Sequence, residues 1–144
     1  MKANSLKEEQ LRGRRTKVVY LIDSLGRGGA QKSLSYLVAG LDKTRFEVIV
    51  VSLRNKNVVF RGDQPCEVIT LGIEHPWEIH KVWRVYSVLR KNRPDILHCL
   101  LFYSNNVGRV LGRIAGVPII FSSIRGTNRW KTWYHFLVEQ AAFE

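Results

Sequence analysis

Several features that would define a protein class at once are missing from this sequence. No apolar run approaches the roughly 20 residues that a membrane-spanning helix needs, and the charged N-terminal stretch, residues 1–16, contains no hydrophobic segment of the kind found in secretory signals. The two cysteines, Cys66 and Cys99, lack CxxC spacing and define no disulfide framework. These absences predict a cytoplasmic protein in which Cys99 is a small buried apolar residue.

The motifs of several common ligand sites are also absent. No GK[ST] triplet occurs, which excludes a Walker-type phosphate loop. The histidines show neither HxxxH nor HExxH spacing, and there are no paired carboxylates and no nucleophile elbow. The sequence therefore predicts no metal site and leaves the catalytic residue unassigned.

Acidic residues are scarce. The chain has 23 Lys and Arg against 12 Asp and Glu, for a net charge of +11. Such an excess favours an anionic partner, which leaves lipid headgroups, nucleotide phosphates and nucleic acid as candidates. Nucleic acid is the least favoured of the three, because no recognition motif is present and the aromatic residues follow core positions.

What the sequence does contain is organised around residues 17–41. Lys17–Ile22 is a short apolar run that predicts a buried strand, and Gly26, Gly28 and Gly29 follow it. The next residues have the periodicity of an amphipathic helix. A strand joined to a helix by glycines gathers free backbone N–H groups at the positive end of the helix dipole, which suits a phosphate. A tight turn that binds nothing is the alternative.

The remaining chain repeats this alternation. Strands are predicted at 46–53, 67–71, 95–101 and 117–121, and helices at 77–92, from an N-cap at Ser104 to Gly116, and at 130–143. Alternating strands and helices predict an α/β fold, a Rossmann-like, doubly wound and mostly parallel sheet over residues 17–144. Its ligand would lie at the carboxyl ends of the strands, where the loops 23–29, 54–57, 101–104 and 122–129 meet.

A dinucleotide site fits these residues poorly. The fingerprint requires three glycines, and Gln31 stands in the third place after Gly26 and Gly28. Ser52 and Arg54 occupy the end of the second strand, where an acidic residue would contact the ribose. NAD(P) binding is therefore disfavoured.

The ordered series VVYLIDSLGRGGAQKSLSYLVAGL, FEVIVVSL and RPDILHCLLFYSNNVGRVLGRIAGVPIIFSSIRG resembles the N-terminal half of glycosyltransferase family 4. The resemblance covers about residues 16–129 and includes the Gly28-Gly29-Ala30-Gln31 loop. That family has the GT-B fold, in which two Rossmann-like domains face each other across a cleft. The resemblance implies an enzyme that transfers a sugar from a nucleotide-sugar donor to an acceptor, either lipid-linked or a polysaccharide.

The resemblance also suggests site residues. The glycine loop would approach the donor diphosphate, with Arg27 adding a cation. Many relatives place a histidine in the loop after the fifth strand; Arg125 lies near that position here, and an arginine cannot act as a base. The nucleotide-sugar is a co-substrate, and no cofactor is implied. The candidate phosphate-binding residues are thus Gly28, Gly29 and Arg27, while His98, Arg125 and Asn128 are pocket candidates by their loop position alone.

The family's second domain carries most of the donor site, including paired glutamates, and the sequence ends at Glu144 without such a pattern. We therefore expect a partner domain, in cis or in trans, and little transferase activity from this chain alone. A non-catalytic remnant or an interaction module stays open as the alternative.

A membrane surface is a further candidate partner. The predicted helix 77–92, with Arg93, Arg109 and Arg113, could present a cationic face to an anionic bilayer at the inner face of the membrane. The favoured interpretation is different: Trp77 and Trp83 belong to the core, and the basic side chains are simply solvated.

Overall fold

In a computed structural model of the chain, the structure describes residues 14–55, 66–75 and 78–123. Within these ranges strands and helices alternate. The strands are β1 (Thr16–Ile22), β2 (Phe46–Ser52), β3 (Glu67–Thr70), β4 (Ile96–Leu100) and β5 (Ile119–Ser123), and the helices are α1 (Gly29–Gly40), α2 (Ile79–Asn92) and α3 (Phe102–Ala115). Residues 1–13 and the predicted helix 130–143 lie outside the described residues.

The five strands form one parallel sheet in the order β3-β2-β1-β4-β5. The central strand β1 pairs with β2 from Thr16↔Phe46 to Ile22↔Ser52 and with β4 from Val18↔Ile96 to Ile22↔Leu100. The chain thus extends the sheet in one direction through β2 and β3, then returns to β1 and extends it in the other direction. The predicted Rossmann-like α/β fold is confirmed.

The sheet separates two apolar cores. Alternate residues of β1 point to opposite faces, so that Val19 and Leu21 pack towards α2 and α3 whereas Val18, Tyr20 and Ile22 pack towards α1. Cys99 is completely buried in the first core, and burial raises the pKa of its thiol to about 12. The predicted role of Cys99 as a small core residue is confirmed.

Helix α3 approaches the sheet closely because two of its core-facing residues are glycines. A Cβ atom added to Gly108 would lie 2.2 Å from Cys99 Sγ, and one added to Gly112 would lie 2.8 Å from Leu97 Cδ2. The hydrophobic residues of this helix do not all mark its core face, since Val110 is 46% exposed and Ile114 is 55% exposed. The sheet-facing side is instead formed by small and polar residues together with Leu111.

The helix ends test three further predictions. Gly116 closes α3 in the left-handed conformation, with φ of 77°, and α2 ends at Asn92 before Arg93 and Pro94, as predicted. The prediction that Ser104 caps α3 was wrong. The helix begins two residues earlier, at Phe102, and its N-cap residue is Leu101, with φ of 75°. Ser104 lies inside the first turn and is fully buried.

The assignment of Trp83 to the core was also wrong, since this side chain is 53% exposed on α2. The core side of α2 is formed by Val85 and Leu89, while the Trp83 ring contacts Tyr86 edge-on at a centroid distance of 5.6 Å. Trp77 lies outside the described residues.

Candidate functional site at the carboxyl edge of the sheet

The carboxyl ends of β1 and β4 mark the point where the strand order reverses. The loop after β1 leads towards α1 and the β2 side, whereas the loop after β4 leads into α3 on the other side of the sheet. Ligands of open parallel α/β sheets bind in the crevice that opens between such diverging loops. The side chains at this edge therefore define the candidate site.

Asp23, the first residue after β1, occupies one part of this crevice. Its Oδ1 accepts hydrogen bonds from the Ser104 N–H at 2.7 Å and from the Ser104 hydroxyl at 2.5 Å, and its Oδ2 accepts one from the Tyr103 N–H at 3.3 Å. The positive N-terminal end of α3 is thus already satisfied by a carboxylate of the chain itself.

Burial raises the pKa of Asp23 above the usual aspartate value, although the hydrogen bonds from Ser104 and Tyr103 and the nearby Arg54 act in the opposite direction. The Arg54 guanidinium lies over the Tyr103 ring, 5.1 Å from its centroid. Arg54 lies two residues after the end of β2, and its N–H donates to Asp23 O at 3.0 Å. Asp23, Arg54 and Tyr103 therefore form one connected group that joins two loops to the first turn of α3.

A cavity of about 120 Å³ opens beside this group, between the ends of the strands and the first turns of α2 and α3. Its apolar wall consists of Leu53, Ile73, Val82 and Val107. Its polar residues are Asp23, Arg54, Glu74, His75 and Tyr103. An apolar wall with a few converging polar groups is typical of a small-molecule site.

A wider depression of about 330 Å³ lies elsewhere, against α1 and the strands β2 and β3. It is lined by Val38, Phe46, Val48 and Cys66 among others, and it includes no residue from the carboxyl edge. The smaller cavity is therefore the better candidate for chemistry, because only it lies at the switch point.

The glycine loop forms the other part of the edge. Helix α1 begins at Gly29 after Gly28, without a side-chain hydrogen bond at its N-cap and without an acidic residue in its first turn. Arg27, Gly28 and Gly29 are exposed, and nothing lies within 4 Å of a Cβ atom added to Gly29. This helix N-terminus, unlike that of α3, is open to a ligand.

Gln31 has a role that its place in the glycine pattern did not reveal. Its side-chain N–H donates to Ser24 O at 3.0 Å, so it ties the first turn of α1 back to the loop that leaves β1. A Cβ atom on Gly28 would lie 2.4 Å from Gln31 Oε1. The small residue at position 28 therefore lets Gln31 hold the loop in this position.

His98 lies in the middle of β4, on the face that α1 covers, and it does not line the 120 Å³ cavity. Its Nε2 is 2.6 Å from Ser123 Oγ, and its ring packs against Tyr20 at 5.3 Å and Phe121 at 6.1 Å. Arg125 and Asn128 lie outside the described residues.

The sequence analysis considered Arg109 either part of a cationic face or simply solvated, and both interpretations were wrong. The side chain is only 7% exposed, and its Nε–H donates to Ser122 Oγ at 2.8 Å. Asn105, one turn earlier, donates through Nδ2 to Ser123 O at 3.2 Å. These two residues of α3 therefore fix the end of β5 rather than meet solvent.

Sequence reasoning expected a ligand among these loops but did not single out Asp23 or Tyr103, and it considered Arg54 only in weighing a dinucleotide site. The signal for Asp23 was an acidic residue immediately after the most apolar strand, where a carboxylate has to find a partner. No three His, Cys, Asp or Glu side chains within the described ranges are grouped as metal ligands.

Comparison with known families agrees with this architecture. A sequence model of the glycosyl transferase 4-like domain matches residues 28–144. The chain belongs to this family. The matched region of the glycosyl transferase 4-like domain begins at Gly28, in the glycine loop, and extends through every later strand. A separate search of curated proteins found no match to the chain.

Proposed function

We propose that this glycosyl transferase 4-like domain is the acceptor side of an enzyme that transfers a sugar from a nucleotide-sugar donor to an acceptor hydroxyl, in concert with a second, donor-binding domain. Membership of the family supports sugar transfer as the reaction class. The observation that carries the proposal further is the open N-terminus of α1 beside the switch-point crevice.

The three helix N-termini at this edge differ in a way that selects one for the donor. Asp23 already supplies a carboxylate to α3. Glu78 is the N-cap residue of α2, and its carboxylate accepts the Glu74 N–H at 2.8 Å. Only α1, among the described helices, begins at glycines without a nearby acidic group. We therefore assign the donor diphosphate to Gly28 and Gly29.

The proposed chemistry follows from this placement. When the bond between the sugar and the diphosphate breaks, negative charge grows on the leaving nucleoside diphosphate. Backbone N–H groups at the start of α1 and the Arg27 guanidinium stabilise that charge. The acceptor enters the 120 Å³ cavity, where the apolar wall contacts its hydrocarbon part and the Arg54 side chain contacts its polar part.

The donor assignment is tested by NMR titration of the full chain with a nucleoside diphosphate at millimolar concentration, because a domain that supplies only the diphosphate contacts binds weakly. We expect the largest amide shifts at residues 27–31. Shifts confined to the first turn of α3, or no shifts at all, would contradict the assignment.

Substitutions in the glycine loop test the same assignment through the affinity for the nucleoside diphosphate. Gly29→Asp puts a carboxylate where nothing lies within 4 Å, so the fold accepts it and the helix dipole favours it, while it repels the diphosphate. We expect binding to weaken about tenfold. Arg27→Gln should weaken binding too, whereas Lys32→Gln, an exposed cation one turn along α1, is the matched control and should leave it unchanged. Equal affinities for all variants would refute the site.

A further inference from the structure

We infer that Gln31 is the positioning residue of the glycine loop: its side chain holds residues 27–29 in the arrangement that presents the free N–H groups of α1 to a diphosphate. The inference rests on the proposed function, because it concerns how the loop assigned to the donor is kept in place. Gln31 itself acts through the loop and makes no contact with the donor.

The loop before α1 changes in character after Leu25. This side chain is 1% exposed and anchors the first half of the loop in the core. Residues 27–29 are exposed, and α1 begins among them without a side-chain hydrogen bond from its N-cap residue, Gly28. Two of these three residues are glycines, which lose more conformational freedom on ordering than other residues do. The second half of the loop therefore needs a hold from outside itself to keep one conformation.

Gln31 provides such a hold from the first turn of α1. Its side chain is half-buried, and its Nε2 donates a hydrogen bond to Ser24 O at 3.0 Å. Ser24 precedes the glycines of the loop and Gln31 follows them, so this one bond closes the loop around them. The bond therefore fixes where α1 starts relative to the end of β1.

The carbonyl that accepts this bond belongs to an anchored part of the chain. Asp23, one residue earlier, is bonded through its carboxylate to the first turn of α3 and through its backbone O to the Arg54 N–H at 3.0 Å. Leu25, one residue later, is buried in the core. Because Ser24 lies between two anchored residues, its hydrogen bond to Gln31 positions the less constrained partner, which is the start of α1 with its glycines.

Gly28 has to be small because of Gln31 and not because of its own backbone. Its φ is 178°, which is extended backbone that any residue adopts. A Cβ atom at this position would instead overlap Gln31 Oε1. Nothing lies within 4 Å of a Cβ atom added to Gly29, so contact with Gln31 distinguishes these two neighbouring glycines. Gly28 and Gln31 thus form an interlocking pair.

The interlocking pair prepares the helix start for an anion. The Lys32 N–H donates to Gly28 O at 3.1 Å, which is the first hydrogen bond of α1. The N–H groups that precede it have no partner within the helix and are the ones left for a ligand. Such groups bind best when they share one orientation before the ligand arrives, because ordering them on binding costs affinity. Without the bond from Gln31, the N–H groups remain but their common orientation is lost.

Gln31→Met tests the inference, because it removes the N–H donor and keeps a side chain of similar size. In the NMR titration of the full chain we expect it to weaken nucleoside diphosphate binding about fivefold. Backbone order parameters from 15N relaxation should fall at residues 27–30, while the urea midpoint hardly changes. Asn92→Leu is the matched control. It removes an amide bond to Val88 O, 2.9 Å long, from the last turn of α2 and should leave the affinity unchanged.

A double-mutant cycle tests the interlocking pair directly. Gly28→Ala alone should weaken the same binding, because its methyl group displaces Gln31 Oε1. In the presence of Gln31→Ala, which vacates that space, Gly28→Ala should weaken binding no further, so the double variant binds as Gln31→Ala alone does. Losses that add in full would overturn the inference.

Failure of this inference and failure of the donor assignment give different results. Equal affinities of the unaltered chain and Gln31→Met for the nucleoside diphosphate would refute the positioning role and leave the donor site standing. A lower urea midpoint for Gln31→Met with unchanged affinity would reduce Gln31 to a structural role. No binding by the unaltered chain would refute the donor assignment and, with it, the positioning of a diphosphate, whatever the order parameters show.

Discussion

At the scale of single residues, Asp23 connects parts of the chain that are about 80 positions apart, because its carboxylate accepts the N–H groups of Tyr103 and Ser104 and the Ser104 hydroxyl. Leu101, immediately before that helix, has a positive φ of 75°, which a branched side chain rarely adopts. The hydrogen bonds of Asp23 help to hold this turn in place.

Replacement of Asp23 tests that role. Asp23→Ala leaves the N–H groups of Tyr103 and Ser104 without their acceptor, and we expect a loss of about 2 kcal/mol in the free energy of unfolding. Asp23→Asn keeps one acceptor oxygen and should lose about half as much. Urea denaturation measures both. Asp42→Ala is the control, because the bonds of Asp42 to Thr44 lie in an exposed turn where water replaces them. Equal losses at the two positions would contradict the role.

Ionisation of Glu78 makes the stability of the fold depend on pH in the acid range. Its carboxylate pairs with the Lys81 ammonium and accepts the N–H groups of His75 and Glu74, which lowers its pKa from 4.5 to about 2. A lowered folded-state pKa contributes stability that is complete above pH 4.5 and is lost as the pH falls towards 2.

We therefore expect the stability difference between the unaltered chain and Glu78→Gln to shrink as the pH falls through this window. A carboxyl NMR titration measures the pKa directly, and Lys81→Met, which removes the first of the causes, should move it back towards the ordinary value. A Glu78 pKa that Lys81→Met does not change would show that the ion pair is not the main cause.

At the scale of elements, the position of α3 depends on two glycines that have no side chain. Gly108 and Gly112 bring the helix backbone against Cys99 and Leu97, and Val110 and Ile114 lie on the exposed side of the helix.

Gly108→Ala should lower the free energy of unfolding by about 2 kcal/mol, because the new methyl group would overlap Cys99 Sγ in a well-packed core. Gly40→Ala is the matched control in the last turn of α1, where nothing lies within 4 Å, and it should raise stability by about 0.5 kcal/mol through its effect on the unfolded chain. Denaturation midpoints distinguish the two outcomes. A neutral Gly108→Ala change would show that the helix can move away from the sheet at little cost.

The same element shows how far sequence reasoning reaches. The strands β1, β2 and β4 were predictable because each is a short apolar run, and their alternation with helices fixed the fold class. The side of α3 that packs against the sheet was not predictable, because hydrophobic periodicity gives no weight to a glycine such as Gly108 that lies in the core. The hydrogen bonds of Asp23 were equally hidden, since their partners come together only when β1 pairs with β4.

At the scale of the whole molecule, the net charge of +11 opposes compaction, because like charges come closer together in the folded chain. The described salt bridges use partly exposed groups and offset little of this repulsion. Screening by salt should therefore stabilise the fold.

We expect the thermal midpoint to rise as sodium chloride increases to about 0.15 M, where the screening length is about 8 Å. The charge-reduced variant Lys32→Gln/Lys43→Gln should show a smaller rise, which separates screening from general salt effects. A midpoint that is the same at low and moderate salt in both proteins would contradict the repulsion.

The central position of β1 has a consequence for synthesis. One edge of β1 pairs with β2, which follows soon after it in the chain. The other edge pairs with β4, which is translated only after α1, β2, β3 and α2. Until β4 leaves the ribosome, the nascent chain carries an apolar strand with one row of unpaired N–H and C=O groups. During this interval the nascent chain has the greatest need of a chaperone.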